Sequence, residues 1–304
     1  MQTDGMKSIR KNDKICPLCG SEKIELKLKT LDYSITGKPF ELLQCKQCAF
    51  VFTGKAPLEN EAGPYYQGEA YISHSNNREG LVNRMYHLGR TWMLKRKHKM
   101  ILGLNKTPGK LLDIGTGTGY FPHFMQRKGY EVSGVEKSQH AREFAKEQFN
   151  LKIESPKIFL EGTAREFYDI ITLWHVLEHL YDPDKYLTRI RSILKNSGFL
   201  VIALPNHNSY DADFYKGFWA GYDVPRHLWH FTPDTFLQLA EKNGFHLVRM
   251  KRLPLDSFYI SILSEKYKKG SAPWFSGILR GKISLLKSLQ NIKRSSSVIY
   301  ILQK

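Results

Sequence analysis

The stretch KLLDIGTGTGYF, residues 110–121, decides the fold of this chain. Apolar residues surround Asp113, as in a short buried strand, and glycines then alternate with threonines from Gly115 to Gly119. Glycine permits backbone conformations that other residues avoid, so such a turn lets the main chain come close to a ligand. The stretch therefore predicts a strand, a ligand-binding turn and the start of a helix.

The spacing of the glycines separates the candidate ligands. A dinucleotide fingerprint reads GxGxxG and a P-loop ends in GK[ST], whereas this turn reads GxGxG. Asp113, two residues before the first glycine, would repel a phosphate but suits the ammonium end of an amino acid. Glu136 ends the second predicted strand, where a carboxylate can accept both ribose hydroxyls. These features favour an adenosyl ligand, although Glu136 alone does not separate NAD from S-adenosylmethionine (SAM).

Strands and helices alternate along the chain. Besides 111–114 and a short third strand within 151–166, strands are predicted at 131–136, 168–173, 199–204, 245–252 and 297–302. Helices are predicted at 121–128, 138–150, 183–195 and from 232 onward. Ser138 and Thr232 are the predicted N-caps. The alternation predicts a Rossmann-like α/β fold, a seven-stranded, mostly parallel sheet with helices on both faces.

The four cysteines fall in two CxxC pairs, Cys16 and Cys19 in CPLCG and Cys45 and Cys48 in CKQC. Two such pairs are typical of a tetrahedral zinc site, and a β-hairpin accommodates the spacer between them. Disulfides fit poorly because we find no secretion signal and CxxC spacing strains a structural bridge. Four protein ligands close the coordination sphere. We therefore expect a structural zinc ribbon that holds RNA, covers a substrate or builds the N-terminal lobe.

The composition is that of an ordinary globular protein except for its charge. Of 304 residues, 41% are hydrophobic, and the formal net charge is +17. Eight Lys and Arg and no acid lie between residues 84 and 110, and the last fifth of the chain is also basic. We interpret these stretches first as solvated helix faces and second as an anion-binding face. No apolar run approaches the length of a bilayer span, so we expect a cytoplasmic protein.

Four motifs together resemble those of class I SAM-dependent methyltransferases. They are DIGTGTG (113–119), GVEKS (134–138), DIITLWHVLEHL (169–180) and LKNSGFLVIALPN (194–206). The similarity covers roughly residues 107–250. It is strongest to the branch with an HVLEH segment, which includes ubiquinone-biosynthesis-like and natural-product enzymes. An N-terminal zinc-binding domain also occurs in some sugar C-methyltransferases of this superfamily.

The resemblance implies that SAM is bound at the glycine turn and the neighbouring strand ends. The residues expected to hold it are Asp113, Gly115, Thr116, Gly117, Gly119, Tyr120, Glu136, Lys137, Trp174 and His175. The third strand lacks the acid that usually contacts adenine, which leaves Ser155 as the candidate there.

The segment WHVLEHL, residues 174–180, should line the pocket near the reactive methyl group. We nominate His175 as a general base or as the residue that positions the acceptor; simple packing against the cofactor is the equal alternative. His175, Glu178 and His179 are spaced to share one helix face, and some family members hold a divalent metal with an ExxEH segment here. Histidine in the first position makes a magnesium site a poorer match. We therefore expect Glu178 and His179 to cap the following helix and lock the loop.

A second histidine cluster lies in YDVPRHLWHFTP, residues 222–233, where loops of this fold usually cover the acceptor. Arg226 and the neighbouring aromatic side chains could bind an acidic or aromatic substrate. We rank His227 above His230 because His230 adjoins the start of a helix. The candidate catalytic residues are His175, His179 and His227.

Three units are predicted along the chain: a zinc ribbon at 1–57, a linker and helical lid at 58–106, and a methyltransferase domain at 107–304. An insertion at 253–296, between the last two strands, has apolar positions at helical spacing and a basic opposite face. We prefer packing of this insertion on the core beside the substrate pocket. Peripheral contact with an anionic membrane is the alternative.

The leading hypothesis is a SAM-dependent methyltransferase that acts on a small-molecule acceptor at oxygen or carbon. The main rival is an RNA (rRNA base) methyltransferase that grips phosphates with the ribbon and the basic face, and we rank nucleic acid second as a partner. A non-catalytic SAM-binding module and a nicotinamide dehydrogenase are the remaining hypotheses. The acceptor, the methylated atom and the oligomeric state stay open.

Overall fold

The computed structural model describes residues 13–66, 81–270 and 274–304, and for residues 81–88 the backbone alone. Residues 67–80 of the predicted linker and lid lie outside the described residues, as do residues 1–12 of the predicted ribbon unit. Within the described ranges the strands form one sheet of seven and one of four.

The strands are numbered in chain order. They are β1 (Ile24–Leu31), β2 (Pro39–Cys45), β3 (Val51–Gly54), β4 (Lys110–Ile114), β5 (Glu131–Val135), β6 (Ile153–Glu154), β7 (Tyr168–Trp174), β8 (Leu194–Pro205), β9 (Trp229–His230), β10 (His246–Arg252) and β11 (Ser297–Gln303). The larger sheet has the order β10-β11-β8-β7-β4-β5-β6. β11 is antiparallel to β10 and β8, and the other pairs are parallel. The predicted seven-stranded, mostly parallel sheet is confirmed.

The helices are α1 (Leu81–Asn105), α2 (Tyr120–Gln126), α3 (Gln139–Phe149), α4 (Pro156–Glu161), α5 (Pro183–Ile193), α6 (Tyr210–Tyr215), α7 (Pro233–Lys242), α8 (Pro254–Lys269) and α9 (Trp274–Gln290). Both predicted N-caps are present, because Ser138 Oγ accepts from the Ala141 N–H and Thr232 Oγ1 from the Thr235 N–H. The short helix α4 was not predicted.

Helices cover both faces of the larger sheet because successive strand residues point to opposite sides. On one face, residues such as Ile171 and Ile202 pack with α5 and α7. On the other face, Ile170 and Val201 pack with α1 and α2. Central strands buried on both faces are characteristic of a parallel sheet.

The four-stranded sheet joins the ribbon to the larger domain. Its order is β1-β2-β3-β9, with β3 paired antiparallel to β9 through Val51↔His230 and Phe52↔Trp229. The predicted ribbon unit therefore shares a sheet with a strand from the predicted methyltransferase domain. Phe50 and Trp229 belong to the same hydrophobic core as the residues of β8.

A buried ion pair fastens the same joint. Arg226, 2% exposed, donates to Asp32 Oδ1 (2.9 Å) and to both carboxylate oxygens of Asp223 (2.6 and 3.0 Å). Asp32 also accepts from the backbone N–H of Thr36 and from its hydroxyl. The ribbon thus contributes one of the two carboxylates that neutralise a buried guanidinium.

The predicted insertion forms a helical hairpin, α8 and α9, between β10 and β11. The two helices approach closely, since a Cβ on Gly277 or Gly281 of α9 would lie 2.7 Å from a backbone atom of α8. α9 also contacts α6. Among the described residues, no helix is both long and apolar enough to cross a membrane.

Replacing Asp32 by alanine should lower the free energy of unfolding by about 3 kcal/mol, because a buried guanidinium loses a partner. The matched control is Glu41→Ala in the same ribbon, where an exposed ion pair with Lys29 (3.2 Å) is lost. Glu41→Ala should lower the free energy of unfolding by less than about 1 kcal/mol. Urea unfolding measures both, and equal destabilisation by the two variants would contradict the role given to Asp32.

Candidate functional site

The predicted ligand turn connects the carboxyl end of β4 to α2. Gly115, Gly117 and Gly119 have φ values of +75°, +53° and +84°. The N–H groups of Gly115 and Thr116 donate to the last carbonyl of β5 (2.7 and 3.2 Å), and a Cβ on Gly115 would collide with Val176. A Cβ on Gly117 would meet nothing within 4 Å. The turn is packed on the strand side and open at Gly117, where a ligand can approach the backbone.

Glu136, at the end of β5, faces this turn. Its Oε2 accepts from the Gly117 N–H (2.8 Å) and its Oε1 from the Ser138 N–H (2.8 Å). These two bonds fix the carboxylate and leave lone pairs on both oxygens for further donors. The residues therefore fit a ribose, whose two hydroxyls are such donors.

Asp113 lies behind the turn, 2% exposed, where its Oδ1 accepts from the Thr172 hydroxyl (2.5 Å). Burial raises its pKa to about 7, although Thr172 and the Lys97 ammonium favour the charged form. Lys97, from α1, lies 3.9 Å from the centre of the Trp174 ring, and burial lowers the pKa of this lysine to about 8. The ammonium of Lys97 thus lies near Asp113, the acid that is predicted to bind the ammonium group of SAM. The contact of Asp113 with SAM stays a prediction.

Two segments of the predicted linker and lid reach the residues beside the turn. The guanidinium of Arg90, in α1, lies 3.8 Å from the ring centre of Tyr120. Lys137 forms an ion pair with Glu59 (2.8 Å), in a short 3-10 turn after the ribbon. Ser155, the candidate for adenine, is the N-cap of α4. The predicted SAM contacts of these residues stay predictions.

His175 directly follows β7 and adopts φ +57°, a left-handed conformation rare for a residue with a side chain. Its Nε2 lies 3.0 Å from Asp256 Oδ2, and its Nδ1 lies 3.5 Å from Glu178 Oε1. Burial disfavours the imidazolium, but the two carboxylates outweigh it and raise the pKa of His175 to about 10. With a carboxylate at each ring nitrogen, His175 is better placed to position groups than to remove a proton.

Glu178, His179 and His227 form a compact cluster beside His175. One ligand atom from each lies within 4.8 Å of the others. His179 Nδ1 lies 3.0 Å from the Arg226 carbonyl and His227 Nδ1 lies 2.9 Å from the Gly221 carbonyl. A carbonyl only accepts, so each Nδ1 carries the proton and each Nε2 keeps its lone pair.

The carboxylate of Glu178 is fully buried, and neither oxygen receives a hydrogen bond from the described part of the chain. Burial opposes its ionisation, yet the surrounding histidines keep its pKa below the usual value. Burial, together with His227, lowers the pKa of His179 to about 4. Two imidazoles and a carboxylate, with both Nδ1–H groups held by carbonyls, fit a divalent metal ion.

This arrangement corrects the expectation for the segment after β7. Residues 177–179 form a 3-10 turn, and the next α-helix begins at Pro183 with Asp182 as its N-cap. Glu178 and His179 therefore cap no helix, although His179 does lock the loop through Arg226. Helical spacing offered His175, Glu178 and His179 as the less favoured, metal-ligating alternative, whereas the structure brings His227 to Glu178 and His179.

The loop at 222–233 is largely structural. Arg226 is neutralised by two carboxylates inside the protein, which argues against its predicted role with an acidic substrate. His230 Nε2 lies 2.9 Å from the Thr53 hydroxyl of the ribbon, and Trp229 Nε1–H donates to the Leu180 carbonyl. Of the histidines in this loop, His227 is therefore the one at the cluster.

The four cysteines are positioned to bind a zinc ion. Cys16 Sγ lies 3.5 Å from Cys48 Sγ, and Cys19 Sγ lies 3.6 Å from Cys45 Sγ. These spacings suit four thiolates on one tetrahedral ion. All four are free cysteines, so the predicted pairing of the two CxxC segments at one site is confirmed in preference to disulfides.

Sequence reasoning missed two charged groups at this edge of the sheet. Lys97 counted as one of many lysines on a basic helix, and Asp256 lay in the insertion. Their charges interact with the predicted site, Lys97 with Asp113 and Asp256, and Asp256 with His175. The local sequence carries no signal for Asp256. The apolar neighbours of Lys97 were the available hint that its side chain is buried.

The comparisons with known proteins establish the family. The model of a family described as a methyltransferase domain matches residues 87–250, more than half of the chain. The chain belongs to the SAM-dependent methyltransferases, as its motifs predict.

Among curated relatives, a ubiquinone biosynthesis O-methyltransferase of Cereibacter sphaeroides is 33% identical over 153 residues, 47% of this chain and 62% of the relative. One of the same name from Nitrosomonas europaea is 30% identical over 105 residues, 32% of this chain and 44% of the relative. The match thus spans less than two thirds of either relative.

Solved structures show the same fold. The geranyl diphosphate C-methyltransferase of Streptomyces coelicolor has a TM-score of 0.52 at 11% identity, over 75% of this chain and 87% of its own. The magnesium protoporphyrin IX methyltransferase of Synechocystis PCC 6803 has a TM-score of 0.52 at 12% identity, over 79% and 96%. At these identities the likeness concerns the fold alone.

Replacing Glu136 by alanine should weaken the binding of S-adenosylhomocysteine by roughly tenfold to a hundredfold, because hydrogen bonds to a charged carboxylate are lost. Isothermal titration calorimetry measures the affinity. Glu131→Ala, at the exposed start of the same strand, is the control and should bind like the unchanged protein. Unaltered affinity in the Glu136 variant would show that this acid does not hold the sugar.

Proposed function

We propose that this protein transfers a methyl group from SAM to oxygen or carbon of a small-molecule acceptor. The observation that carries the proposal is the carboxyl edge of the sheet. There Glu136 is fixed beside the open glycine turn, and three histidines converge on Glu178 after β7. The names of the curated relatives support a small acceptor with a hydroxyl group.

The transfer is an in-line displacement with a neutral leaving group, so the protein mainly positions the two reactants and receives a proton. His175 is held in a fixed orientation between two carboxylates and can form one wall of the acceptor site. Without a metal ion at this cluster, the groups able to accept the proton of an acceptor hydroxyl are Nε2 of His179 or His227 and the carboxylate of Glu178. Burial of this cluster excludes bulk water from the same atoms.

The reaction is tested by measuring the release of S-adenosylhomocysteine from SAM with an ortho-diphenol, protocatechuate, and in parallel with total RNA. We expect the unchanged protein to form product with the diphenol. The Glu136→Ala variant should not form it. Product with RNA alone would favour the RNA methyltransferase instead. SAM binding without product in either arm would support a non-catalytic module.

We further propose that Glu178, His179 and His227 hold a divalent metal ion. The buried carboxylate without a hydrogen bond and the two free Nε2 lone pairs support this assignment. A bound ion would lower the pKa of an acceptor hydroxyl and hold it near the methyl donor. The mixed set of imidazole and carboxylate ligands suits manganese or zinc better than magnesium.

Electron paramagnetic resonance of added Mn²⁺, with the protein first loaded with one equivalent of zinc for the cysteine site, tests this site without an activity assay. The unchanged protein should remove one equivalent of the free Mn²⁺ signal. Glu178→Gln, which keeps the shape of the side chain, should leave that signal in place. Glu154→Gln, in β6, is the control. Equal Mn²⁺ binding by the Glu178 variant would refute the assignment.

A further inference from the structure

Helix α9 has its small residues inside and its large apolar residues outside. The buried positions are Gly277, Gly281, Ser284 and Ser288. The two glycines let α9 lie close to α8, because larger residues there would collide with the backbone of that helix. The contact with the protein thus uses the small residues, and the large ones are directed to solvent.

The outward face of α9 is strongly apolar. Its exposed large residues are Trp274 (54%), Phe275 (83%), Ile278 (48%), Leu279 (48%), Leu286 (53%) and Leu289 (57%). At 100° per residue they span an arc of about 140°. Isolated exposed apolar residues are ordinary on a protein surface, but a continuous stripe of this kind marks a site of interaction.

The charge on this helix has a single sign. α9 contains Arg280, Lys282 and Lys287 and no acid, and Lys282 falls within the apolar arc itself. At the edge toward α6, Arg280 lies 3.9 Å from the ring centre of Phe214 and Lys287 lies 5.2 Å from that of Tyr210. Such a combination of an apolar stripe with basic residues is typical of helices that lie in the surface of an anionic bilayer.

We propose that the outward face of α9 binds the surface of an anionic lipid bilayer. Its apolar side chains would enter the interface, and Arg280 and Lys287, on the side toward α6, would contact lipid phosphates. Lys282 can extend its ammonium to the headgroups while its stem stays among the apolar residues. Charge complementarity selects the bilayer over a second copy of this chain. Two copies pairing through this face would bury two lysines and bring together two surfaces of a chain with net charge +17.

Binding through this face would also bring α8, which packs against α9, toward the membrane surface. α8, on which α9 lies, begins next to Asp256, whose carboxylate pairs with His175. The hairpin therefore connects the bilayer-binding face to a residue of the predicted pocket. The proposal concerns only the surface of α9 and does not depend on the identity of the acceptor.

Co-sedimentation with vesicles tests the proposal directly. The full chain should bind vesicles of equimolar phosphatidylcholine and phosphatidylglycerol. It should bind vesicles of phosphatidylcholine alone much more weakly. The double variant Phe275→Ser, Leu279→Ser should lower the partition coefficient at least about tenfold, because apolar area leaves the interface. Lys282→Glu should lower it on the anionic vesicles. Ile158→Ser, an exposed apolar residue of α4, is the control and should bind like the unchanged protein.

Tryptophan fluorescence gives a second measurement on the same samples. Trp274 is half exposed at the start of α9, so vesicle binding should shift its emission to shorter wavelength, and Trp274→Phe should remove that shift. Absence of binding to anionic vesicles would overturn the proposal. The proposal would also be overturned if the protein formed a dimer in solution and the double variant of Phe275 and Leu279 were a monomer. A second copy of the chain would then cover the face.

Discussion

The buried carboxylate of Glu178 sets the arrangement of the candidate site. A carboxylate without hydrogen bonds inside a protein is strongly unfavourable unless positive charge or a metal ion compensates it. His175 and His227 both face this carboxylate, and each comes from a different segment of the chain. The end of β7 and the loop at 222–233 must therefore stay together, and they do so through further bonds. The Glu178 carbonyl accepts from the Leu228 N–H (2.8 Å).

The zinc ribbon belongs to this arrangement although it is distant in sequence. Thr53 of β3 donates its hydroxyl to the His227 carbonyl (2.7 Å), and Asp32 neutralises Arg226. The Arg226 carbonyl in turn accepts from His179. The ribbon is thus connected by hydrogen bonds and an ion pair to the backbone that carries two histidines of the cluster.

Local patterns predicted the fold and part of the site. The glycine turn and the CxxC pairs each lie within a few residues, and Glu136 is marked by its position at the end of a strand, so local patterns could nominate them. The contacts of the turn and of Glu136 with SAM stay predictions. The cluster around Glu178 depends on His227, which folding brings from a distant loop. Helical spacing could offer only His175 beside Glu178 and His179, and the expectation there was a helix cap and not a metal site. Asp256 and Lys97 were missed for the same reason, because their partners are set by tertiary packing and not by sequence neighbours.

The helical hairpin connects the apolar face of α9 with the candidate site, because α8 is in contact with both. At its N-terminal end, Asp256 is paired with His175, and along its length the glycines of α9 hold the second helix in close contact. A force that reorients α9 must move α8 or separate the two helices, and tight glycine contacts oppose separation. The apolar face of α9 is consequently held in a fixed orientation relative to the carboxyl edge of the sheet. The small residues on the inner side of α9 thus have two effects. They let the helix pack closely on α8, and they leave the large apolar residues of α9 on the side that faces solvent.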